Sequence, residues 1–239
     1  MAEDGAADQH KRRKRTRLSM LLGASVLLFV ALGVWQIERR GEKLALIAAV
    51  DKRVSAGPVA APGPSDWPRL SFKKDAYRHI RVGGVFLHDR ETLVQAVTER
   101  GPGYWVMTPL RTDGDWMVLV NRGFVPAKRR DRAGDPSGHV TVTGLLRTSE
   151  PGGAFLRSND RAHDRWYSRD AGAIGRARHL ERLAPYFIDA EAQPRQEHQP
   201  IGGLTVVRFA NNHLQYAFTW FALAALSAFG LASIWRKQA

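Results

Sequence analysis

Two long apolar runs bracket the chain. Leu18 to Ile37, LSMLLGASVLLFVALGVWQI, is 20 residues without a charge, and Leu214 to Trp235 is 22. At about 1.5 Å per residue, either run folded as a helix is long enough for the ~30 Å hydrocarbon core of a bilayer. The pattern therefore predicts transmembrane helices over 18–37 and 214–235. Beyond the first run, Ile37, Leu44, Ile47 and Val54 recur among charges, which predicts a helix that continues out of the membrane or restarts after Gly41. Ala56 to Pro68, rich in Pro and Gly, reads as a linker, so 38–68 is a membrane-proximal helix and linker.

From Tyr77 the pattern changes to short β-branched and aromatic runs parted by Gly, Pro, Asp and Asn. The expected strands are Tyr77–Leu87, Glu91–Val97, Tyr104–Leu110, Trp116–Asn121 and Val140–Leu146, with Asp113-Gly114 as a tight hairpin signal. Asp170 is placed to cap a helix running to about Leu183, which Pro185 stops. Pro185–Asp189 and Leu204–Arg208 are expected as late strands. The fold class is an α+β membrane protein, in which two transmembrane helices flank an extracytoplasmic, antiparallel β-rich, small barrel-like domain over 69–213 with one or two short helices. Tyr104–Leu110 and Trp166-Tyr167 read as core.

Charge changes the picture mainly by setting topology. The chain carries 36 Lys and Arg against 23 Asp and Glu. Lys11, Arg12, Arg13, Lys14, Arg15 and Arg17 precede the first run, and Arg236 and Lys237 follow the second. Removing these eight bases and the three acids of the N-terminal tail leaves 28 basic and 20 acidic residues between the runs. The end clusters match the positive-inside rule, which puts the tails 1–17 and 236–239 in the cytoplasm and the middle domain outside. Trp35 and Trp235 sit at helix ends as interfacial aromatics. That distribution argues against nucleic-acid binding. A cleaved signal peptide is the rival reading of the first run, with Ala31-Leu32-Gly33 as a weak cleavage site; the run's length favours an uncleaved span. Glu3, Asp4 and Asp8 argue against a mitochondrial transit peptide.

The absence of cysteine excludes disulfides, thiolate metal sites and cysteine nucleophiles. No GxSxG, HExxH, P-loop or GxGxxG occurs, and the eight histidines include no i,i+4 pair, so no enzyme is expected. Arg122, in NRGFVP, either forks to a ligand carboxylate or pairs with an internal acid at a strand end where Gly123 permits a bend. His213 at the mouth of the second run shares a helix face with Tyr216, Ala217 and Trp220. Antiparallel spans bring it to the depth of Trp35, Gln36, Arg39 and Arg40, with Arg208 near by. One imidazole, aromatic surfaces and guanidinium groups are what a membrane-intercalated haem needs. The same residues also suit an interfacial histidine that hydrogen-bonds Gln36 or a backbone carbonyl as an anchor. Ala224, Ala228 and Ala232 form a small-residue stripe suited to close helix contact.

Six patches together resemble the Surfeit locus (Surf/Shy) family of cytochrome c oxidase assembly factors: LGVWQIERRGEKLALI, GPGYWVMTPL, VLVNRGFVP, WYSRD, PYFID and NNHLQYAFTWFALA. They occur in the family's order and cover most of the chain. The resemblance implies a bacterial inner-membrane factor that binds haem a through His213 and helps insert it into oxidase subunit I, alongside other assembly factors and haem a synthase. The alternative is a scaffold that stabilises an oxidase assembly intermediate without touching haem. Family members usually carry tryptophan where this chain has Phe124, which puts any hydrogen bond from that indole in doubt.

Overall fold

The structure, a computed structural model, describes residues 2–128, 136–152, 157–192, 200–205 and 209–236. It divides into two compact units, one of residues 1–48 with 208–239 and one of residues 49–207.

The first unit is a helix pair. Helix α1 (Ala2–Val54) is continuous through Gly41, and the closing helix α4 spans His213–Arg236. Both contain stretches long and apolar enough to cross a membrane, and only 6% and 11% of those stretches is buried, so neither is the core helix of a soluble domain. The chain is membrane-associated through them. The helices pack antiparallel: Phe29 stacks on Trp220 at 5.7 Å between ring centroids, and Leu22 lies beside Gly230. Gly33 sets the spacing, because a Cβ there would stand 2.6 Å from the Phe221 ring. On α4 the contact line is Ala217 and Ala224, both buried, while Ala228 and Ala232 are exposed. The seven-residue step from Ala217 to Ala224 keeps one face on the partner helix; the expected stripe of 224, 228 and 232 drifts off it.

In the second unit, strands β2 (His79–Phe86), β4 (Gly101–Thr112), β5 (Met117–Pro126), β6 (His139–Thr148) and β7 (Leu183–Ala190) close a barrel. β2 pairs antiparallel with β6, β6 with β7 and β5 with β4, while β5 and β7 run parallel. Gly84–Phe86 return to Leu110–Thr112 and complete the ring. β1 (Val59–Ala60) lies parallel to β2, and β3 (Thr92–Thr98) lies along the first half of β4. Numbered along the chain, the five closing strands follow the order 1-2-3-5-4 and back to 1, with the third and fifth parallel. That is the connectivity of the five-stranded Greek-key barrels of the OB class.

Two of these strands carry unbroken apolar runs, Met117–Val120 in β5 and Leu183–Ile188 in β7, because they are buried on both faces there. Val118, Val120, Tyr186 and Ile188 point into the barrel with Ile80 and Leu110. Leu119 and Phe187 point outward, under Trp166 and helix α3 (Ala171–Ala177). α3 begins where expected, with the Asp170 carboxylate accepting from the Ala173 N–H at 2.9 Å. It ends well before Leu183, since His179 and Arg182 adopt left-handed φ of 52° and 47°. Pro185 lies inside β7 rather than stopping the helix, at the register break against β5, where its missing N–H is tolerated. The turn after β4 uses Asp115 at φ 54° as its left-handed residue, one position beyond the Asp113-Gly114 signal. Leu204 and Thr205 are not in a strand, and 206–208 lie outside the described residues. A single turn, α2 (Phe72–Asp75), precedes β2, and the Lys73 and Lys74 carbonyls accept from Arg53 in the last turn of α1.

Asp189 ties the barrel's late strands together. It is 3% exposed and accepts from Arg147 at 2.6 Å, Asn121 at 2.8 Å, Thr205 at 2.9 Å and Arg169 at 3.1 Å. Both guanidinium groups also lie over the Phe187 ring, at 5.9 and 4.9 Å. Asp189→Ala leaves Arg147 and Arg169 with Glu150 as their remaining carboxylate and Asn121 without its acceptor, so a loss of about 1–3 kcal/mol is expected in urea unfolding followed by tryptophan fluorescence. Gly123 has φ 129°, and a Cβ there would collide with the Ile201 backbone. Gly123→Ala is expected to cost about 1–3 kcal/mol in the same assay.

Candidate functional site

The site is built on one stripe of α1 and the first turn of α4. Along α1, Gly33 and Gln36 are buried, and Arg40 and Lys43 half-buried, at the three- and four-residue steps of one helix face. His213 is the first residue of α4. Its Nδ1 lies 2.7 Å from Oε1 of Gln36, whose side chain is held in the helix contact. With an amide oxygen facing it, Nδ1 is the donor, which in the uncharged ring assigns the lone pair to Nε2. Nε2 makes no hydrogen bond among the described residues and is not enclosed. Asn211 Oδ1, two residues before, is enclosed and has no hydrogen-bond partner among the described residues.

The other expected residues are placed unevenly around this pair. Trp35 and Tyr216 are 49% and 54% exposed, giving two aromatic surfaces on the outside of the helix pair. Trp220 faces α1 but is taken up by its stack on Phe29, two turns deeper than His213. Arg39 donates to Glu42 at 2.6 Å, so its charge is largely matched within the helix. Arg40 has no ion pair among the described residues. Arg208 lies outside the described residues. Lys43, whose ammonium sits 5.1 Å from the Phe209 ring centroid, was not singled out from the sequence. Its signal was the seven-residue step from Gln36. Ile37 and Leu44, read as the apolar face beyond the membrane, are 44% and 43% exposed; the buried stripe runs beside them.

Chemically the arrangement offers one imidazole with an unbonded ring nitrogen, exposed aromatic faces, and cations one and two helical turns along α1 from Gln36. Among the described residues no three His, Cys, Asp or Glu side chains group to hold a metal ion by themselves.

In the barrel, Arg122 pairs with an internal acid, as its structural reading expects. Its Nη1 lies 3.5 Å from Glu91 Oε2, with both side chains buried, and Thr108 donates to the same oxygen at 2.7 Å. Phe124 is fully buried edge-on to Trp105, a position that an apolar ring fills without a donor. His79 contacts the Ala56 carbonyl and Glu191, and His139 and His163 contact Asp113 and Asp160. Burial pushes the Tyr186 hydroxyl above its ordinary pKa, and that hydroxyl donates to the Pro62 carbonyl at 2.7 Å. These are contacts that hold the barrel together.

Residues 24–225 match the model of the SURF1 family. The chain is 36% identical over 228 residues to Surfeit locus protein 1 of Homo sapiens, covering 87% of this chain and 72% of that protein. It is 32% identical over 244 residues to Surfeit locus protein 1 of Xenopus tropicalis, covering 93% and 76%. To a SURF1-like protein of Monosiga brevicollis it is 34% identical over 225 residues, covering 87% and 83%. With the family model matched from within the first span into the second, the chain belongs to the SURF1 family, known as cytochrome oxidase assembly factors.

Proposed function

We propose that this protein binds haem a at the outer membrane interface through His213 and helps insert it into cytochrome c oxidase subunit I. The observation that carries the reading is the hydrogen bond from His213 to Gln36. A ligating histidine characteristically gives its other ring N–H to an acceptor that fixes tautomer and orientation, and Gln36 supplies that acceptor from a buried position. The donor set fits the cargo: Nε2 for the iron, Trp35 and Tyr216 for the macrocycle, Arg40 and Lys43 for the propionates. Haem a is a substrate here, held and released without turnover. When bound, haem a would be held at its iron by His213 as this chain's single ligand, and such partial ligation would favour transfer.

The basic clusters before and after the two spans support a bacterial inner-membrane protein with both termini in the cytoplasm and the barrel in the periplasm. Subunit I, other assembly factors and haem a synthase are the partners this reading calls for.

Replacing His213 by Ala is expected to lower haem a co-purification at least about tenfold and to reduce oxidase activity in a strain lacking its own copy. Unchanged values for both would remove His213 from the mechanism. Gln36→Ala is expected to release the His213 ring from the Nδ1–H tautomer that the amide oxygen selects, read from its 15N shifts, and to weaken haem binding about tenfold or more. Gln36→Glu keeps the acceptor and restores the single tautomer. A ring unmoved by Gln36→Ala would show that the amide does not hold it.

A further inference from the structure

The barrel carries a groove that the haem reading does not use. It has a volume of about 440 Å³ and lies between β3, the start of β4 and the segment around Arg157 and Tyr167. In the five-strand ring this is the face of the second and third strands, between the connection of strands one and two and that of strands four and five. OB-class barrels take extended ligands on that face.

One wall is an open strand edge. Gln95 donates its N–H away from β4, to the Trp166 carbonyl at 2.8 Å. Two residues on, Val97 directs its N–H and C=O to the same side, and neither has a partner among the described residues. Val97 is 88% exposed, and nothing charged guards it in the strand. The opposite wall is aromatic and basic. The Arg157 guanidinium lies 5.5 Å from the Tyr167 ring centroid, and Tyr104 faces the same groove. Arg100, in the β3–β4 turn, Lys128, just after β5, and Arg157 have no carboxylate partner among the described residues.

We propose that this groove docks an extended acidic segment of a partner polypeptide, added as a strand to the free edge of β3 at Val97 with a carboxylate on Arg157. Main-chain hydrogen bonds to Val97 give the segment its register, while the arginine and the two tyrosines select its side chains. A polypeptide is favoured over a nucleic acid because only a peptide backbone offers the alternating C=O and N–H that Val97 lacks. The site is independent of His213 and stands or falls apart from haem binding.

The test uses the full chain in detergent and fluorescence anisotropy with labelled octapeptides. The alternating Val-Glu peptide is expected to bind, more weakly as salt rises. The alternating Val-Lys peptide, and a Val-Glu peptide N-methylated along its backbone, are expected to bind at least about tenfold more weakly. Val97→Pro reproduces the loss, and Arg157→Glu reverses the preference between Glu and Lys peptides. If Val97→Pro fails to fold, the N-methylated peptide reports the same backbone contact on the unaltered protein. No binding of the Val-Glu peptide, equal binding of its N-methylated form, indifference to Arg157→Glu, or tighter binding of an oligothymidylate would each overturn the proposal.

Discussion

A hydrogen bond between an imidazole and an amide, placed between two helices that are otherwise apolar, constrains the rest of the helix pair. Neither His213 nor Gln36 is cheap to carry at a membrane interface unless each satisfies the other. Their 2.7 Å contact requires close approach of the helices, and Gly33 permits it by leaving room for the Phe221 ring. Ala217 and Ala224 continue the approach deeper along α4, and the stack of Phe29 on Trp220 fixes rotation about the helix axes. The polar pair thus dictates which residues must be small. It also leaves His213 Nε2 available to a ligand at the mouth of α4.

The barrel is held by different physics. Its strands are short, and two are buried on both faces, so the sheet closes around one apolar interior with a second layer under α3. Asp189 then gathers donors from β5, β6 and the segments before and after β7 into one satisfied buried charge. A closed ring with such a node is a rigid platform. Among the described residues an open backbone edge lies at its rim, where β3 is attached to β4 alone over Val97. Rigid scaffold and open edge are the combination that strand-addition surfaces require.

Much of this is legible from residues. The uncharged runs mark the two spans, and uninterrupted apolar triplets such as Val118–Val120 mark doubly buried strands. His213 and Gln36 meet because equal depth in antiparallel spans is a matter of counting. Other features are not carried by local pattern. Helix rotation sends Tyr216 to the surface and uses Trp220 as packing, a difference of one step around the helix that depends on Phe29 and Gly33 of the partner. The early end of α3 and the inclusion of Pro185 in β7 are tertiary effects, since the register break against β5 makes a place for proline. Tyr104 and Tyr167 read as core because they are aromatic neighbours of core residues, yet each occupies the outward phase of its segment. Barrel closure through Gly84–Phe86 has no sequence signature at all.

The central claim, that His213 presents a ring nitrogen to haem a, is tested most directly by the visible absorption spectrum of the full chain, purified in detergent from cells that make haem a and from cells that cannot. The account predicts a Soret band with haem a character in the first preparation and none in the second. The same featureless spectrum from both would contradict it and leave a scaffold that works on the oxidase without touching haem.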